Sequence, residues 1–230
     1  MSGSIHSVSP NRYWLPVSTL HNAKLTNETS HPEGFTTATL STPTSHISNI
    51  LSLPSGPLAH LIRIPFNSPG LTWFEEDQAI TVHPKDPYKR VDILPASRHI
   101  EIALEGTVLA SSRNVLHLFE TGLPTRRYLP MTSVADWKLL RESATRSRCP
   151  YKGEARYFDV LLPGGKEVRD VVWWYEHPTS ESVAIAGRMC WYDERVDVWV
   201  DGVKQERPVT KFGGQKAKEE AKGGEAGKEG

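Results

Sequence analysis

The sequence predicts a mainly β protein with one or two short helices, and two patterns favour this fold class. Apolar and polar residues alternate over 98–104 and again over 115–119, as they do in half-buried strands. Two longer segments rich in apolar and aromatic residues, 157–162 and 166–175, flank Pro163–Gly165. Proline and glycine between two such segments indicate a hairpin, so we expect an antiparallel pair of strands here.

The remaining elements are predicted in the same way. Apolar runs or alternating valines that end at glycine-containing turns favour further strands, at residues 58–66, 107–111 and 196–200. The turns are expected at Asn67–Gly70, Glu105-Gly106 and Asp201-Gly202. One helix is expected from Thr132 or Ser133 to about Ser143, because Val134, Trp137, Leu140 and Leu139 share a face. A second helical turn is expected over 180–185.

Four segments follow from composition. Residues 1–56 are rich in Ser, Thr, Pro and Asn, and we expect a loosely ordered arm. Residues 57–97 are a β segment, 98–210 hold the main domain, and 211–230 are a glycine- and charge-rich tail expected to be disordered. Trp73–Val82 aligns without gaps on Trp191–Val200, so 57–97 is either a degenerate first repeat or a chance likeness.

The net charge excludes whole classes of partner. The chain has 27 basic and 27 acidic residues among 230, so no overall field attracts nucleic acid or an anionic membrane. No apolar run is long enough to span a bilayer. The first eight residues lack the basic and hydrophobic regions of a secretory signal. We therefore expect a cytoplasmic protein that could also enter the nucleus. The sequence does not indicate an oligomeric state.

Metal and cofactor motifs are missing. Two cysteines cannot form a cysteine-based zinc site, and the nine histidines show no ligand spacing. The sequence also has no phosphate-binding glycine loop, no dinucleotide fingerprint and no nucleophile elbow. No metal and no cofactor are predicted.

Candidate ligand contacts cluster in the second half of the chain. Residues 126–156 carry eight basic and three acidic residues, and guanidinium groups match carboxylate and phosphate geometry. Basic residues beside aromatic ones form the predicted ligand-binding set: Arg127, Tyr128, Lys152, Tyr157 and Trp174. Successive residues of a strand face opposite ways, so one of Trp173 and Trp174 faces the core.

Four side chains are candidates for acid–base or nucleophilic chemistry: Lys152, Cys149, Glu101 and Glu120. Cations beside Cys149 would lower the pKa of its thiol, but a nucleophile needs a positioned base that the sequence does not identify. A buried, inert cysteine is the alternative. Lys152 is either a ligand contact or a surface lysine lying over Tyr151. Gly153 is expected to permit a turn or bulge.

These landmarks carry a family resemblance. Arg98–Gly202 resembles the domain of unknown function 427 family, which also carries the label nucleotidyltransferase domain 9. The matching blocks are Gly106 with Val108, Arg127–Pro130, Cys149–Gly153, Trp173–Tyr175, Ile185–Gly187 and Arg195–Gly202. The resemblance implies a curved antiparallel sheet or partly open barrel of the β-tent kind, in domains that occur singly or in tandem. The label implies phosphate chemistry, but this chain lacks the spaced acidic pair that holds magnesium in nucleotidyltransferases.

Three functions remain open. The first is binding of a small anionic or aromatic ligand in a pocket lined by Arg, Lys, Tyr and Trp. The second is an enzyme that acts on a small molecule or nucleotide in the same pocket. The third is a protein-interaction module that uses an exposed indole.

Overall fold

A computed structural model of the chain describes residues 6–7, 12–210 and 212. The chain divides into two units, with the boundary between Pro84 and Lys85. All strand pairs in both units are antiparallel, and the described helices are four short 3-10 helices. The predicted fold class, mainly β and antiparallel, is confirmed. Among the described residues neither large sheet closes on itself.

The first unit is a six-stranded sheet with the order β1-β2-β6-β5-β4-β3, plus the hairpin β7-β8. The strands are β1 (His6–Ser7), β2 (Arg12–Pro16), β3 (Lys24–Ser30), β4 (Thr36–Ser41), β5 (His46–Ser52), β6 (Leu61–Pro65), β7 (Trp73–Glu75) and β8 (Gln78–Ile80), with the 3-10 helix η1 at Val17–Thr19. A core of Leu40, Ile47, Ile50, Ile62 and Ile64 packs on this sheet.

The structure differs here from the loosely ordered arm expected over 1–56, since strands occupy much of residues 12–56. Thr36, Ala38 and Leu40 alternate with outward-facing residues in β4, and only one face of the strand is buried. Threonine is β-branched and fits a pleated, half-buried surface, so a Ser- and Thr-rich composition still forms strands when a few isoleucines supply a core. The expected tail, 211–230, lies outside the described residues except for Phe212.

The two segments that align in sequence are paired differently. Trp73–Ile80 forms the hairpin β7-β8, in which Trp73 is opposite Ile80 and Glu76 has a positive φ of 50°. Trp191 instead ends one strand, and the following strand at Asp197–Val200 joins another sheet. The local likeness therefore does not extend to the strand pairing.

The second unit holds two sheets, ordered β14-β15-β16-β17-β13-β12-β9 and β11-β10-β18-β19. Its strands are β9 (Val91–Ala96), β10 (Ile100–Leu104), β11 (Thr107–Ser112), β12 (Val115–Glu120), β13 (Arg126–Pro130), β14 (Leu140–Cys149), β15 (Gly153–Leu161), β16 (Glu167–Pro178), β17 (Arg188–Trp191), β18 (Asp197–Val200) and β19 (Val203–Lys204). The 3-10 helices are η2 (Met131–Ser133), η3 (Trp137–Leu139) and η4 (Ser180–Ile185).

Each predicted hairpin of this unit forms. Glu105 and Gly106, between β10 and β11, both have positive φ, and so do Asp201 and Gly202 between β18 and β19. Two consecutive residues with positive φ match the right-handed twist of the flanking strands, which is why Glu-Gly and Asp-Gly mark these turns. The β15–β16 hairpin turns at Pro163–Gly165, as expected.

Two apolar clusters lie on opposite faces of the seven-stranded sheet. The first joins residues of both sheets, with Ile100 and Val198 from the four-stranded sheet and Leu129, Val172 and Trp191 from the seven-stranded sheet. The second cluster, which we call the aromatic face, contains Leu118, Tyr128, Ala155, Tyr157, Trp173, Tyr175, Ile185 and Cys190. Alternate residues of β13 and β16 therefore enter different clusters.

The helix expected from 132 to 143 is replaced by η2, η3 and the start of β14. The backbone of this segment pairs with its neighbours instead: Ala135 N–H donates to Leu109 O at 2.9 Å, and Leu140 lies opposite Val160. Strand partners distant in sequence satisfy the peptide groups that a helix would satisfy locally. The second expected helical turn, over 180–185, is present as η4.

Candidate functional site

The first feature of the candidate site is the alternation along β13. Tyr128 is buried in the aromatic face, whereas Leu129 belongs to the cluster on the other side of the sheet. Arg126 shares the side of Tyr128, and Arg127 shares the side of Leu129. The two adjacent arginines therefore lie on opposite sides of the sheet, in different environments.

The aromatic face is tightly packed around Tyr128. The indole Nε1–H of Trp173 donates to Tyr128 Oη at 3.1 Å, and the two rings meet edge to face with centroids 6.3 Å apart. Burial raises the pKa of Tyr128 well above its ordinary value, and the neighbouring Cys190 and Tyr175 add to the shift. Tyr157 Oη lies 2.6 Å from Ser147 Oγ. The hydroxyl groups of Tyr128 and Tyr157 therefore both have protein partners.

Lys152 lies at the edge of this face in a buried ion pair. Its Nζ donates to Glu120 Oε2, and the two residues are only 9% and 8% exposed. Lys89 Nζ contacts the other carboxylate oxygen of Glu120 at 3.0 Å. Burial alone would raise the pKa of Glu120, but Lys152 and Lys89 lower it below its ordinary value. Glu120 is therefore an anion held between two ammonium groups.

The turn before β15 directs Lys152 inward. Lys152 N–H donates to Cys149 O at 3.4 Å, and Gly153 has a φ of +98°. A Cβ at Gly153 would lie 3.0 Å from the carbonyl oxygen of His177. The hydroxyl groups of Thr179 and Ser182 donate to Tyr151 O at 2.5 and 2.8 Å. The turn is thus held by η4 and by the residue that precedes it.

Arg126 forms a second buried ion pair, with Glu194. Its Nη1 and Nη2 donate to the two carboxylate oxygens at 2.8 and 2.7 Å, a bidentate arrangement. The guanidinium also lies over three aromatic rings, those of Trp173, Tyr192 and Phe212, at 5.4 to 5.8 Å. Thr210 Oγ1 donates to Glu194 Oε1 at 2.6 Å. Both terminal nitrogens of Arg126 and both carboxylate oxygens of Glu194 therefore have partners within the protein.

Arg127, on the other side of the sheet, lines an open cavity. Its Nη1 donates to Asp193 Oδ2 at 2.5 Å. We call the space beside this pair the Arg127 cavity; it encloses about 180 Å³. Its lining is Pro124, Thr125, Arg127, Asp193, Val196, Val198, Gln205, Glu206 and Pro208. The walls thus combine apolar side chains with one guanidinium, carboxylates, a hydroxyl and an amide.

Asp193 is the titratable group of this cavity. It is 5% exposed, and burial raises its pKa to about 6, although Arg127 and Arg126 favour its charged form. A carboxyl group with this pKa is protonated in part near neutral pH, so it can either donate or accept a hydrogen bond there.

The five predicted ligand contacts are not brought together. Tyr128 and Tyr157 lie in the aromatic face, Lys152 lies at its edge, and Arg127 lines the cavity on the other side of the sheet. Trp174 packs beside Phe158, with ring centroids 6.4 Å apart, and lies under the guanidinium of Arg156.

The four catalytic candidates are divided as well. Lys152 and Glu120 are bound to each other in an ion pair. Cys149 is half-buried at the turn before β15. Glu101 lies in β10 opposite Ser111 and Trp199, in the four-stranded sheet. Cys190, by contrast, is fully buried, and burial raises the pKa of its thiol.

The sequence analysis did not select Asp193 and Glu194, the acidic partners of the two arginines. The signal that could have found them is the pair of adjacent acids 66 and 68 residues after two adjacent arginines. Adjacent residues of a strand face opposite ways, so Arg126 and Arg127 point to opposite sides of β13, and the turn between β17 and β18 supplies one acid to each.

Two properties of the described residues bear on cofactors and membranes. Within residues 6–7, 12–210 and 212, no group of three His, Cys, Asp or Glu side chains is arranged to hold a metal ion. In the same residues, no helix has the length and apolar character of a membrane-spanning segment.

Comparison with known proteins supplies a family but no activity. No curated protein matches the chain. The model of one protein family, described as a domain of unknown function (DUF427), matches residues 92–202, which include β10 to β18, the Cys149–Gly153 turn and most of β9. The match confirms the resemblance identified from the sequence. Residues 92–202 are therefore a segment that matches the family of domain of unknown function 427.

Proposed function

We propose that this domain binds a small anionic ligand in the Arg127 cavity. The observation that carries the proposal is the guanidinium of Arg127, which lines an open cavity and has one fully buried nitrogen, Nε, without a hydrogen-bond acceptor among the described residues. A buried donor without an acceptor costs free energy, and a ligand oxygen would remove that cost. Arg126 offers no such donor, because Glu194 binds it in a bidentate manner.

The size of the cavity favours a small ligand. Its volume of about 180 Å³ is below the ~300–1,000 Å³ typical of pockets for drug-sized molecules. A carboxylate or a small oxyanion suits this volume better than a whole nucleotide. Thr125 and Gln205 add a hydroxyl and an amide that can orient such a group.

The proposal narrows the predicted contact set. Of the five residues expected from the sequence, only Arg127 lines this cavity. Tyr128, Lys152 and Tyr157 instead support the aromatic face, where neighbouring side chains satisfy their polar atoms. We therefore assign ligand contact to Arg127 and a structural role to these three.

Asp193 sets the expected pH dependence of binding. Its carboxylate competes with an anionic ligand for Arg127, and its pKa of about 6 makes the competition weaken in mild acid. An anion should therefore bind more tightly at pH 5 than at pH 8, with uptake of a proton by Asp193.

Thermal-shift and calorimetric titrations with acetate, inorganic phosphate and sulfate test the proposal. A ligand at 100 times its dissociation constant stabilises the fold by about 2.7 kcal/mol. The double variant R127M/D193N removes the guanidinium without leaving a buried, unpaired carboxylate, and it should abolish the shift. The control R148M removes an exposed arginine paired with Glu154 and should leave the shift unchanged. Equal shifts in the wild type and R127M/D193N would overturn the proposal.

One observation favours an enzyme as the second candidate. Asp193 lines the cavity with a pKa of about 6, and a general acid or base works best when its pKa lies near the working pH. Turnover of p-nitrophenyl esters or nucleoside triphosphates should then follow a pH profile that D193N removes. Activity that survives in D193N would refute this role.

The interaction module and the cytoplasmic location remain predictions. The interaction hypothesis placed an exposed indole in β16, but Trp173 is buried and Trp174 is half-buried. The absence of nucleic-acid and membrane partners likewise remains a prediction.

A further inference from the structure

We infer that His117 is a second ligand contact, and that an oxygen atom of a bound carboxylate or oxyanion accepts hydrogen bonds from both His117 Nε2–H and Arg127 Nε–H. The inference rests on the proposed function, because Arg127 belongs to both. It adds a residue that does not line the cavity and defines the chemistry of the group that the ligand must present.

The first step of the argument is the tautomer of His117. Its Nδ1 lies 3.2 Å from Nη2 of Arg98. A guanidinium can only donate, so Nδ1 must be the acceptor, and the proton of a neutral imidazole is then on Nε2. His117 is 4% exposed, and burial, Arg98 and Arg127 lower the pKa of its imidazole, which keeps the ring neutral.

The second step is that this proton has no acceptor. Nε2 of His117 is fully buried and has no hydrogen-bond partner among the described residues, and the same holds for Nε of Arg127. Most buried donors in folded proteins are paired, so an unpaired one requires an explanation. Nε1 of Trp174 and Nε1 of Trp191 are also buried without a partner among the described residues, but these two residues are not opposite each other in the sheet.

The third step is that the two donors belong to neighbouring side chains. His117 and Arg127 are directly opposite each other in the β12–β13 ladder. Side chains at opposed positions of an antiparallel pair leave the sheet on the same side, with Cβ atoms about 5 Å apart. The ladder therefore places both donors on the same side of the sheet, and the inference is that one acceptor oxygen joins them.

The fourth step concerns the charge of the acceptor. Arg98 and Arg127 both lie close enough to His117 to lower the pKa of its imidazole. The nearest carboxyl group identified at Arg127 is Asp193, whose pKa of about 6 leaves it partly neutral. Glu206 also lines the Arg127 cavity, but the two charged groups that shift the pKa of His117 are both guanidinium groups, so the surroundings of its Nε2–H favour an anionic acceptor over a neutral one.

Two variants of His117 separate the role of Nε2 from that of Nδ1. In H117N the shorter side chain keeps an acceptor near the position of Nδ1 for Arg98 but has no donor at the position of Nε2. In H117Q the longer side chain places its amide nitrogen, a donor, near the position of Nε2. We expect H117N to weaken binding of acetate or inorganic phosphate by about tenfold or more, the usual effect of losing a hydrogen bond to a charged group, and H117Q to restore much of it. Urea unfolding of both variants checks that the fold persists.

A nitrogen-15 NMR experiment on wild-type protein provides the direct readout. The Nε2–H resonance of His117 should shift during titration with acetate or phosphate, and R127M/D193N should remove that shift. If the anions bind in an Arg127-dependent way but H117N binds as tightly as the wild type, the inference is wrong and the proposed function stands. If no anion binds and the Nε2–H resonance exchanges magnetisation with water alone, a bridging water satisfies both donors, and the inference and the proposed function both fail.

Discussion

Lys152 and Glu120 form a buried ion pair although they lie 32 residues apart in the chain. Glu120 ends β12, the strand next to one edge of the seven-stranded sheet, and Lys152 belongs to the turn of the β14–β15 hairpin at the opposite edge, so the contact ties the two ends of the sheet together. Lys89 approaches the same carboxylate from the segment before β9. Lys152, one of the five ligand contacts predicted from the sequence, is therefore already paired within the protein.

The first prediction concerns the stability of this pair. K152M leaves the Glu120 carboxylate buried with only Lys89 beside it, and we expect a loss of about 3 kcal/mol in the free energy of unfolding. The double variant K152M/E120Q also removes the buried carboxylate charge, so its loss in the free energy of unfolding should be smaller. K166M is the control, because Lys166 and Glu105 form an exposed pair that should contribute less than about 1 kcal/mol. Urea unfolding measures all three, and a K152M loss as small as that of K166M would contradict the buried ion pair.

The second prediction compares two glycines with similar backbone angles. Gly153 has a φ of +98° and Gly164 a φ of +85°, but only at Gly153 would a Cβ meet another backbone, at 3.0 Å from His177 O. G164A should cost about 1 kcal/mol from the left-handed conformation alone. G153A should cost more, because β15 and β16 must also move apart. Thermal unfolding of the two variants decides the matter; equal losses would mean that the turn before β15 has room for a side chain.

The third prediction is a pH dependence that comes from Asp193. Its pKa in the folded protein, about 6, is higher than the ordinary value of 3.8, so the native state binds a proton more tightly than the unfolded state does. Its contribution to stability is therefore complete below about pH 4 and is lost as the pH rises through 6. The stability of the wild type relative to D193N should fall by about 2 kcal/mol between pH 4 and pH 7.

Urea unfolding of the wild type and D193N at four or more pH values tests this prediction. Glu120, Glu194 and Asp197 have lowered pKa values and impose the opposite trend, with stability lost as the pH falls. These residues are present in both proteins, so the comparison cancels their effect. Parallel stability curves would show that Asp193 has an ordinary pKa.

The fourth prediction concerns the two thiols. Cys190 is fully buried, and burial raises the pKa of its thiol, whereas Cys149 is half-buried at a turn. A thiol reagent should label Cys149 at least about a hundredfold faster than Cys190, which reacts only after opening of the fold. C149S should remove the fast phase, and C190S should keep it. A fast phase that persists in C149S would place Cys190 near the surface.

Much of the fold could be predicted from the sequence of the second unit. Turn residues with a preference for positive φ, such as Gly106 and Gly202, mark their hairpins locally, and alternating residues mark the strands between them. Residues 132–143 could not be predicted, because the helical spacing of Val134, Trp137 and Leu140 is outweighed by pairing with β11 and β15. In residues 12–56, a few buried isoleucines outweigh a polar composition.

The candidate site was predicted less well, for a reason that lies in strand geometry. Trp173 and Trp174 differ by one position, yet the first packs in the aromatic face and the second on the opposite side of the sheet. A shift of one residue exchanges the two faces of a strand, and composition alone does not say which face borders a cavity.

By itself, the sequence determined the mainly β class, the hairpin turns and the family of residues 92–202, because periodicity, turn chemistry and ordered motifs are local properties of the chain. The tertiary structure alone decided which partner each of these charged side chains has. Arg126 and Arg127 pair with acids 68 and 66 residues away, and Lys152 pairs with Glu120 on another strand. These pairings depend on the register and order of the strands, and only the folded sheet leaves Arg127 beside a cavity while it encloses Arg126.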